Sequence, residues 1–211
     1  MTQQLDALTG LPNRTALNST LDRLVGEAES VALATLDIDR FLEINTAFGH
    51  EAGDRLLQAL AALLAEVAPG NVYRLSGDEF AIVLPGVSLE PAFLRMEALR
   101  ERVQGMSGSF GLPERRGVTV TIGVAQYPRD ARDVRGMLQA ADAALQAAKE
   151  NGRNQVALPP AEEMSMKSCY YCQPAQAQGL GRAPGPEGVA AAARGPRRPA
   201  AQVRPPQGGI G

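Results

Sequence analysis

The segment VYRLSGDEFAIVL, residues 72–84, places a tight turn between two apolar runs. Gly77 and Asp78 form the tip of the turn. A Gly-Asp pair between strand-like runs is a strong β-hairpin signal, because glycine adopts the positive φ that such a turn needs. The turn also carries two adjacent carboxylates, Asp78 and Glu79, where the glycine backbone leaves room for a ligand. The segment therefore predicts two antiparallel strands with a functional site at their tip.

More acidic residues follow an apolar run upstream. Residues 33–39, LATLDID, read as a buried strand that ends in Asp37 and Asp39. Carboxylates at a strand end and at a nearby hairpin tip suit a Mg²⁺–nucleotide site, since hard cations take oxygen ligands and leave positions for phosphates. Each acid alone has a simpler explanation, because Asp37 could be a solvated strand-end residue and Asp78 an ordinary turn residue. Their combination favours the metal site.

Composition indicates one domain with an appendage. The chain has 211 residues, is 45% hydrophobic and lacks Trp, so its core must be built from aliphatic side chains. No apolar run reaches the roughly 18 residues of a membrane span, and the N-terminus does not resemble a signal peptide, so we expect a cytoplasmic protein without a membrane partner. The chain before residue 174 is acidic, which argues against a nucleic-acid partner.

Hydrophobic periodicity predicts alternating helices and strands up to about residue 158. The first predicted helix begins near Pro12, and the four that follow cover residues 41–48, 51–67, 90–103 and 134–150. The predicted strands cover residues 31–37, the hairpin 72–84, residues 118–127 and residues 154–158. Gly123 in the fourth strand indicates a close approach of another backbone. The order αβααββαβαβ predicts an α+β fold, a central sheet that contains an antiparallel hairpin and is flanked by helices.

The composition changes after Pro160. Residues 174–211 are dominated by Ala, Gly and Pro with scattered Arg, and show no apolar periodicity. We therefore expect a folded domain over residues 1–158 and a disordered tail over residues 159–211. Cys169 and Cys172 form a C-x-x-C pattern in this tail. With no second pair nearby, we interpret them as two incidental thiols rather than half of a zinc site or a redox pair.

Five stretches of the chain, in register, resemble the GGDEF domain of diguanylate cyclases. The stretches are 6–14 DALTGLPNR, 37–54 with DIDRF and NTAFGHEAGD, 76–80 SGDEF, 118–125 VTVTIGVA and 141–154 ADAALQAAKENGRN. The resemblance covers about residues 6–156, and five motifs in order are far more specific than one. It implies the nucleotidyl-cyclase, palm-like (ferredoxin-like) fold, with cyclic di-GMP as the product.

The resemblance also implies roles for individual residues. Asp37, Asp78 and the carbonyl of Ile38 would bind Mg²⁺, or Mn²⁺ in its place, and Asp78 and Glu79 would be the catalytic acids. The GTP-binding residues would be Asn45 and Asp54, which read guanine, together with Phe41, Gly77, Lys149 and Arg153. Structural alternatives exist, because Asp54 could be a helix N-terminal acid, and Lys149 and Arg153, which we expect one helical turn apart near a helix C-terminus, could compensate the helix dipole.

Departures from the family pattern leave two hypotheses open. Leu42 stands where the family has a Lys, Thr46 replaces an Asp, Gln146 replaces a Tyr, and Ser76 replaces the first Gly. The product-inhibition motif R-x-x-D would fall on residues 67–70, VAPG, and is absent there. The first hypothesis is a cyclase that condenses two GTP molecules across a transient homodimer. The second is a catalytically degenerate module that binds GTP and regulates a partner protein. A polymerase palm is a weaker third reading.

The chain begins almost directly at the domain. We therefore expect that pairing is either weak or driven by a separate sensor or regulator protein.

Overall fold

The computed structural model describes residues 5–28, 30–106 and 117–160. The proposed tail and its two cysteines lie almost entirely outside these residues, so those predictions stay predictions. The helices are α1 Arg14–Glu27, α2 Phe41–Phe48, α3 His50–Val67, α4 Leu89–Gly105 and α5 Val134–Glu150. The strands are β1 Val31–Ile38, β2 Val72–Ser76, β3 Glu79–Pro85, β4 Val120–Tyr127 and β5 Val156–Ala157. The predicted order of elements and the α+β class are confirmed, with ends that differ by at most two residues.

One five-stranded sheet runs in the order β2-β3-β1-β4-β5. Strand β1 lies in the middle and pairs antiparallel with both β3 and β4, whereas β4 and β5 are parallel. The register places Asp37 of β1 opposite Glu79 of β3 on one side and Thr121 of β4 on the other. Residues directly opposite each other on antiparallel strands have Cβ atoms about 5 Å apart. The sheet thus carries Asp37 to the base of the predicted hairpin tip.

Each face of the sheet is covered by helices. Alternate β1 residues, from Ala32 to Ile38, pack with α3 and α4, while Val31 and Leu33 pack with α1 and α5. Because side chains alternate along a strand, Thr35 and Asp37 lie on the α1 and α5 face. That parity decides which helices can contribute side chains to the site around Asp37.

Helix α5 packs unusually close to the sheet at Gly123. A Cβ atom built on this glycine would lie 2.9 Å from the Leu145 Cα atom, and closer still to two other backbone atoms of α5. No larger residue fits without moving the helix, so the predicted close approach at Gly123 is confirmed. No helix among the described residues is long and apolar enough to cross a membrane.

Helix α1 begins after the Asn13 side chain, which accepts hydrogen bonds from the amides of Thr15 and Ala16. Asn is among the strongest N-cap residues, and Pro12 precedes it, so the helix start lies two residues after the one we predicted. This cap fixes where Arg14, the first residue of α1, projects from the helix.

Candidate active site

Asp37 is the most confined acid of the predicted site. Its side chain is 14% exposed, and its Oδ2 atom lies 2.9 Å from the Nζ atom of Lys149 on α5. Burial raises the pKa of Asp37 to about 6, and the charges of Asp78 and Glu79 add to the rise while Lys149 opposes it. The structure therefore brings together Asp37, the adjacent acids Asp78 and Glu79, and Lys149, which come from three distant parts of the sequence.

The hairpin tip carries the second predicted metal ligand. Burial raises the pKa of Asp78, with Glu79 adding to the rise, and Lys149 and Arg74 opposing it. Gly77 has φ 45°, as the predicted turn requires. Asp78 thus sits on a left-handed glycine turn beside the end of β1.

Arg74 clamps this tip, a role that sequence reasoning missed. Its guanidinium donates to the Gly77 carbonyl from Nε at 3.2 Å and from Nη2 at 2.7 Å, and from Nη1 to Asp6 Oδ1 at 2.8 Å. Asp6 also accepts from the amide and hydroxyl of Thr9. Burial acts to raise the pKa of Asp6, but these hydrogen bonds and the Arg74 charge outweigh it and hold that pKa below its usual value. The motif at residues 6–14 therefore helps to hold the hairpin in place, through the contact of Asp6 with Arg74.

Glu79 is held by two partners. The Ser76 hydroxyl donates to Glu79 Oε2 at 2.8 Å, and Arg14 Nη2 donates to the same oxygen at 3.5 Å. Glu79 is 42% exposed, so the ion pair with Arg14 is a weak, solvated one. The serine that departs from the family pattern thus has a direct contact with a predicted catalytic acid.

The donor set fits a magnesium ion shared with a nucleotide. No group of three His, Cys, Asp or Glu side chains in the described part of the chain could hold a metal by itself. Mg²⁺ is typically bound through one or two carboxylates plus substrate phosphates and water. Two carboxylates, Asp37 and Asp78, with the strand-end carbonyl of Ile38, meet that requirement.

The predicted guanine-reading residues lie on α2 and α3. Asn45 and Phe41 pack against Gly53, where an added Cβ atom would lie 3.0 Å from Asn45 Cγ and 3.1 Å from Phe41 Cζ. The Oδ1 atom of Asn45 is buried with no hydrogen-bond partner among the described residues. Asp54 is exposed and is the fifth residue of α3, beyond the first turn where the helix dipole favours an acid. That weakens the purely structural explanation for Asp54.

Arg153 does not continue the helix that carries Lys149. Helix α5 ends at Glu150, and Arg153 has φ 65° in the loop beyond it. It lines a cavity of about 400 Å³, together with Arg40, Asn154 and Asp39. Arg40, with φ 58°, and Asn154, with φ 45°, are also left-handed. The expectation that Arg153 lies one helical turn from Lys149 is therefore wrong, because the chain leaves the helix before reaching it.

Asp39 is a structural acid. It is 8% exposed and accepts hydrogen bonds from the hydroxyls of Thr119 at 2.7 Å and Thr121 at 2.6 Å, and from the Asn154 amide at 3.0 Å. These bonds tie the loop after α5 to the ends of β1 and β4. They occupy both oxygens of Asp39, so of the two acids that end the first strand, Asp37 is the one left to bind a metal.

Comparison with known proteins gives consistent matches. The family model described as "Diguanylate cyclase, GGDEF domain" matches residues 3–155. The signaling protein YkoW of Bacillus subtilis is 37% identical over 156 residues, which cover 71% of this chain and 19% of that protein. The uncharacterized protein YhcK of the same species is 34% identical over 158 residues, 72% of this chain and 44% of that protein. The chain spans less than half the length of these curated relatives.

Solved structures match at the level of the whole domain. The GGDEF domain of DgcB from Caulobacter crescentus, in complex with c-di-GMP, has a TM-score of 0.66 and 32% identity, covering 74% of this chain and 96% of that one. The active GGEEF domain of a diguanylate cyclase from Vibrio cholerae has a TM-score of 0.65 and 29% identity, covering 71% and 98%. SiaD from Pseudomonas aeruginosa, solved with its activator SiaC, has a TM-score of 0.63 and 31% identity, covering 73% and 61%.

Proposed function

The chain belongs to the GGDEF family of diguanylate cyclase domains, and from that premise we propose that it condenses two GTP molecules into cyclic di-GMP and two pyrophosphates. The observation that carries the proposal is the meeting of Asp37, Asp78 and Glu79 at one end of the sheet, with Lys149 among them. Each of these residues matches a family motif, and together they come from three separate parts of the chain, the end of β1, the hairpin and helix α5.

Catalysis would consist of positioning and charge neutralisation. The 3′-hydroxyl of each GTP would attack the α-phosphorus of the other, the two bonds to pyrophosphate would break, and each hydroxyl proton would leave to a base. Glu79, the partly exposed catalytic acid beside Asp78, is the group we assign to assist that proton transfer. Mg²⁺ or Mn²⁺, when bound by Asp37, Asp78 and the Ile38 carbonyl, supplies the positive charge that lets a triphosphate approach these acids.

The remaining residues would hold GTP. Asn45 and Asp54 read the guanine edge, because a carboxylate accepts from both the ring N–H and the exocyclic amine that adenine cannot offer as a pair. Phe41 lies with Asn45 against Gly53, the Gly77 backbone would allow close approach of the nucleotide, and the cations Lys149 and Arg153 would bind phosphates. One domain binds one GTP, so turnover requires a transient homodimer. Since GTP is a cytoplasmic metabolite, we place the protein in the cytoplasm.

Leu42 favours a second candidate function. It is 75% exposed at the start of α2, in the position where the family carries a lysine. A charge-stabilising group of this kind is typically worth a factor of about 10²–10³ in rate. Without it, the domain could bind GTP and metal and regulate a partner protein. The activator bound to SiaD makes a regulatory partner a reasonable proposal here too.

The test is product formation over a series of protein concentrations with GTP and Mg²⁺, resolved by chromatography. A homodimeric cyclase gives cyclic di-GMP that rises faster than linearly with protein, and the Asp78→Ala variant gives none. Leu42→Lys should raise turnover by about 10²-fold if the missing cation limits the rate. If neither the wild-type protein nor Leu42→Lys forms product, while calorimetry shows saturable Mg²⁺-dependent GTP binding, the cyclase proposal is contradicted and the regulatory module is supported.

A further inference from the structure

Lys149 lies on the oxygen that a metal ion would need. Its Nζ atom is 2.9 Å from Asp37 Oδ2, in a pair whose side chains are 24% and 14% exposed. We propose that Lys149 takes the cation's place on Asp37 in the nucleotide-free protein, so that the site accepts a metal–nucleotide complex in preference to free metal. This inference rests on the proposed function, because it concerns how that site is loaded.

The surroundings of Asp37 give this pair a clear electrostatic purpose. Asp78 and Glu79 add negative charge near Asp37, and Lys149 is the positive group that acts on it. Three carboxylates without a cation would repel one another at the end of a buried strand. A divalent cation on Asp37 would do the neutralising that Lys149 now does, and the two cations would repel each other at such short range. Free metal therefore has to displace the ammonium group.

A bound triphosphate would offer the Lys149 ammonium group a more strongly charged partner than Asp37. It brings several negative charges to the same end of the sheet, and an ammonium group on a flexible four-carbon stem can turn from a carboxylate to a phosphate. Lys149 is the last residue but one of α5, so its side chain starts at a helix end rather than in the packed middle. Asp37 Oδ2, once released by Lys149, would then be available to a metal ion that arrives with the nucleotide.

The other cations of the site are not suited to this exchange. Arg74 is fixed by two separate acceptors, the Gly77 carbonyl and Asp6. Arg14 contacts Glu79 at 3.5 Å, on an exposed surface. Among the described residues, Lys149 is thus the cation placed directly on a predicted metal ligand. The consequence is positive coupling, in which nucleotide raises metal affinity and metal raises nucleotide affinity by the same factor, typically about 5- to 150-fold.

Binding of Mn²⁺ alone, followed by the EPR signal of the free ion, tests this directly. Lys149→Met keeps the aliphatic stem and removes the charge, so we expect it to bind Mn²⁺ without nucleotide about tenfold or more tightly than the wild-type protein does. Lys149→Gln serves as a second neutral variant should the first not fold. Arg102→Met is the matched control, because it removes a cation of α4 that pairs with Glu66 at 2.6 Å rather than with Asp37, and it should leave Mn²⁺ affinity within about twofold.

The same titrations with a non-hydrolysable α,β-methylene GTP analogue measure the coupling. The factor by which the analogue raises Mn²⁺ affinity should shrink in Lys149→Met. Equal Mn²⁺ affinity in Lys149→Met and wild type, with both lost in Asp37→Asn, would overturn the inference and leave the metal site intact. Absence of Asp37-dependent Mn²⁺ binding in every variant, even with the analogue, would overturn the proposed metal site as well.

Discussion

Gly53 gives a direct test of the proposed role of Asn45 in reading guanine. It is buried on α3, and an added Cβ atom would meet Asn45 Cγ at 3.0 Å and Phe41 Cζ at 3.1 Å, with Asn45 Oδ1 well inside contact distance. All of these obstacles are ends of side chains, so in Gly53→Ala the Asn45 amide should retreat by at least about 1 Å while the helices stay in place. A hydrogen bond near 2.9 Å does not survive such a shift.

The expected effect of Gly53→Ala on stability is small, whereas its expected effect on GTP binding is large enough to measure. Alanine in a helix interior is about 1 kcal/mol more favourable than glycine, and crowding costs about 1–3 kcal/mol, so unfolding free energy should change by less than about 2 kcal/mol. Losing the bond from Asn45 to guanine should cost about 1–3 kcal/mol of binding, which is roughly 5- to 150-fold in Kd. The variant is therefore expected to be folded and weak in GTP binding.

Calorimetric titration with Mg²⁺ and the α,β-methylene analogues of GTP and ATP measures both affinity and selectivity. Gly26→Ala is the matched control, because this helical glycine has nothing within 4 Å of an added Cβ atom. It should gain the same helix propensity and bind as the wild type does. Undiminished GTP affinity in Gly53→Ala, or equal losses for the two nucleotides, would refute the role of Asn45 in reading the base.

Three further changes have defined outcomes. Ser76→Gly removes the 2.8 Å bond to Glu79 and should lower kcat by up to about tenfold with KM unchanged; an unaltered kcat would mean that this bond does not position the acid. Asp6→Asn should lower the free energy of unfolding by about 1–2 kcal/mol at pH 7, measured by urea unfolding. Because the pKa of Asp6 is lowered in the folded state, the stability that Asp6 contributes is present above the unfolded pKa of 3.8 and is lost as the pH falls through the lower, folded pKa. A difference between the two proteins that does not change with pH would contradict this. Gly123→Ala should cost about 3 kcal/mol or more by the same assay, because the backbone around Leu145 must move, and a stability equal to wild type would refute the close packing.

Local chemistry explains why the fold could be predicted. The Gly-Asp turn, the alternation of apolar residues and the spacing of leucines act over a few residues, and they locate every helix and strand of the described chain to within three residues. Gly123 was also predictable, since a glycine inside a strand usually marks an approach of another backbone. The strand order around β1 is a long-range property, which local periodicity does not determine.

The contacts that complete the site were not predictable from local pattern. Arg14 and Glu79 are 65 positions apart, and Arg74 and Asp6 are 68 apart. A cation near a helix end looks the same in sequence whether it compensates a dipole, binds phosphate or pairs with an acid across the sheet.

Three residues adopt a left-handed backbone conformation that residue propensity does not predict. Arg40, Arg153 and Asn154 adopt positive φ without being glycine, and all three line one cavity. Such conformations cost on the order of 1 kcal/mol or more each and persist where the surroundings fix them. Here the surroundings are known, because the backbone N–H of Asn154 donates to Asp39 and to the Thr121 hydroxyl. The buried acid therefore holds the loop, and with it the position of Arg153.

The register of β1 ties the chemistry of the site to the core. Val31 and Leu33 are fully buried on the α1 and α5 face, and Asp37 follows them at the same parity. A slip of one residue would turn Leu33 toward α3 and α4 and move Asp37 away from both Lys149 and Glu79. Such a slip would lose the packing of the whole strand, so the carboxylate is positioned with the precision of the core. In the proposed exchange, the part of the site that moves is then the side chain of Lys149, on which binding of a metal–nucleotide complex would act.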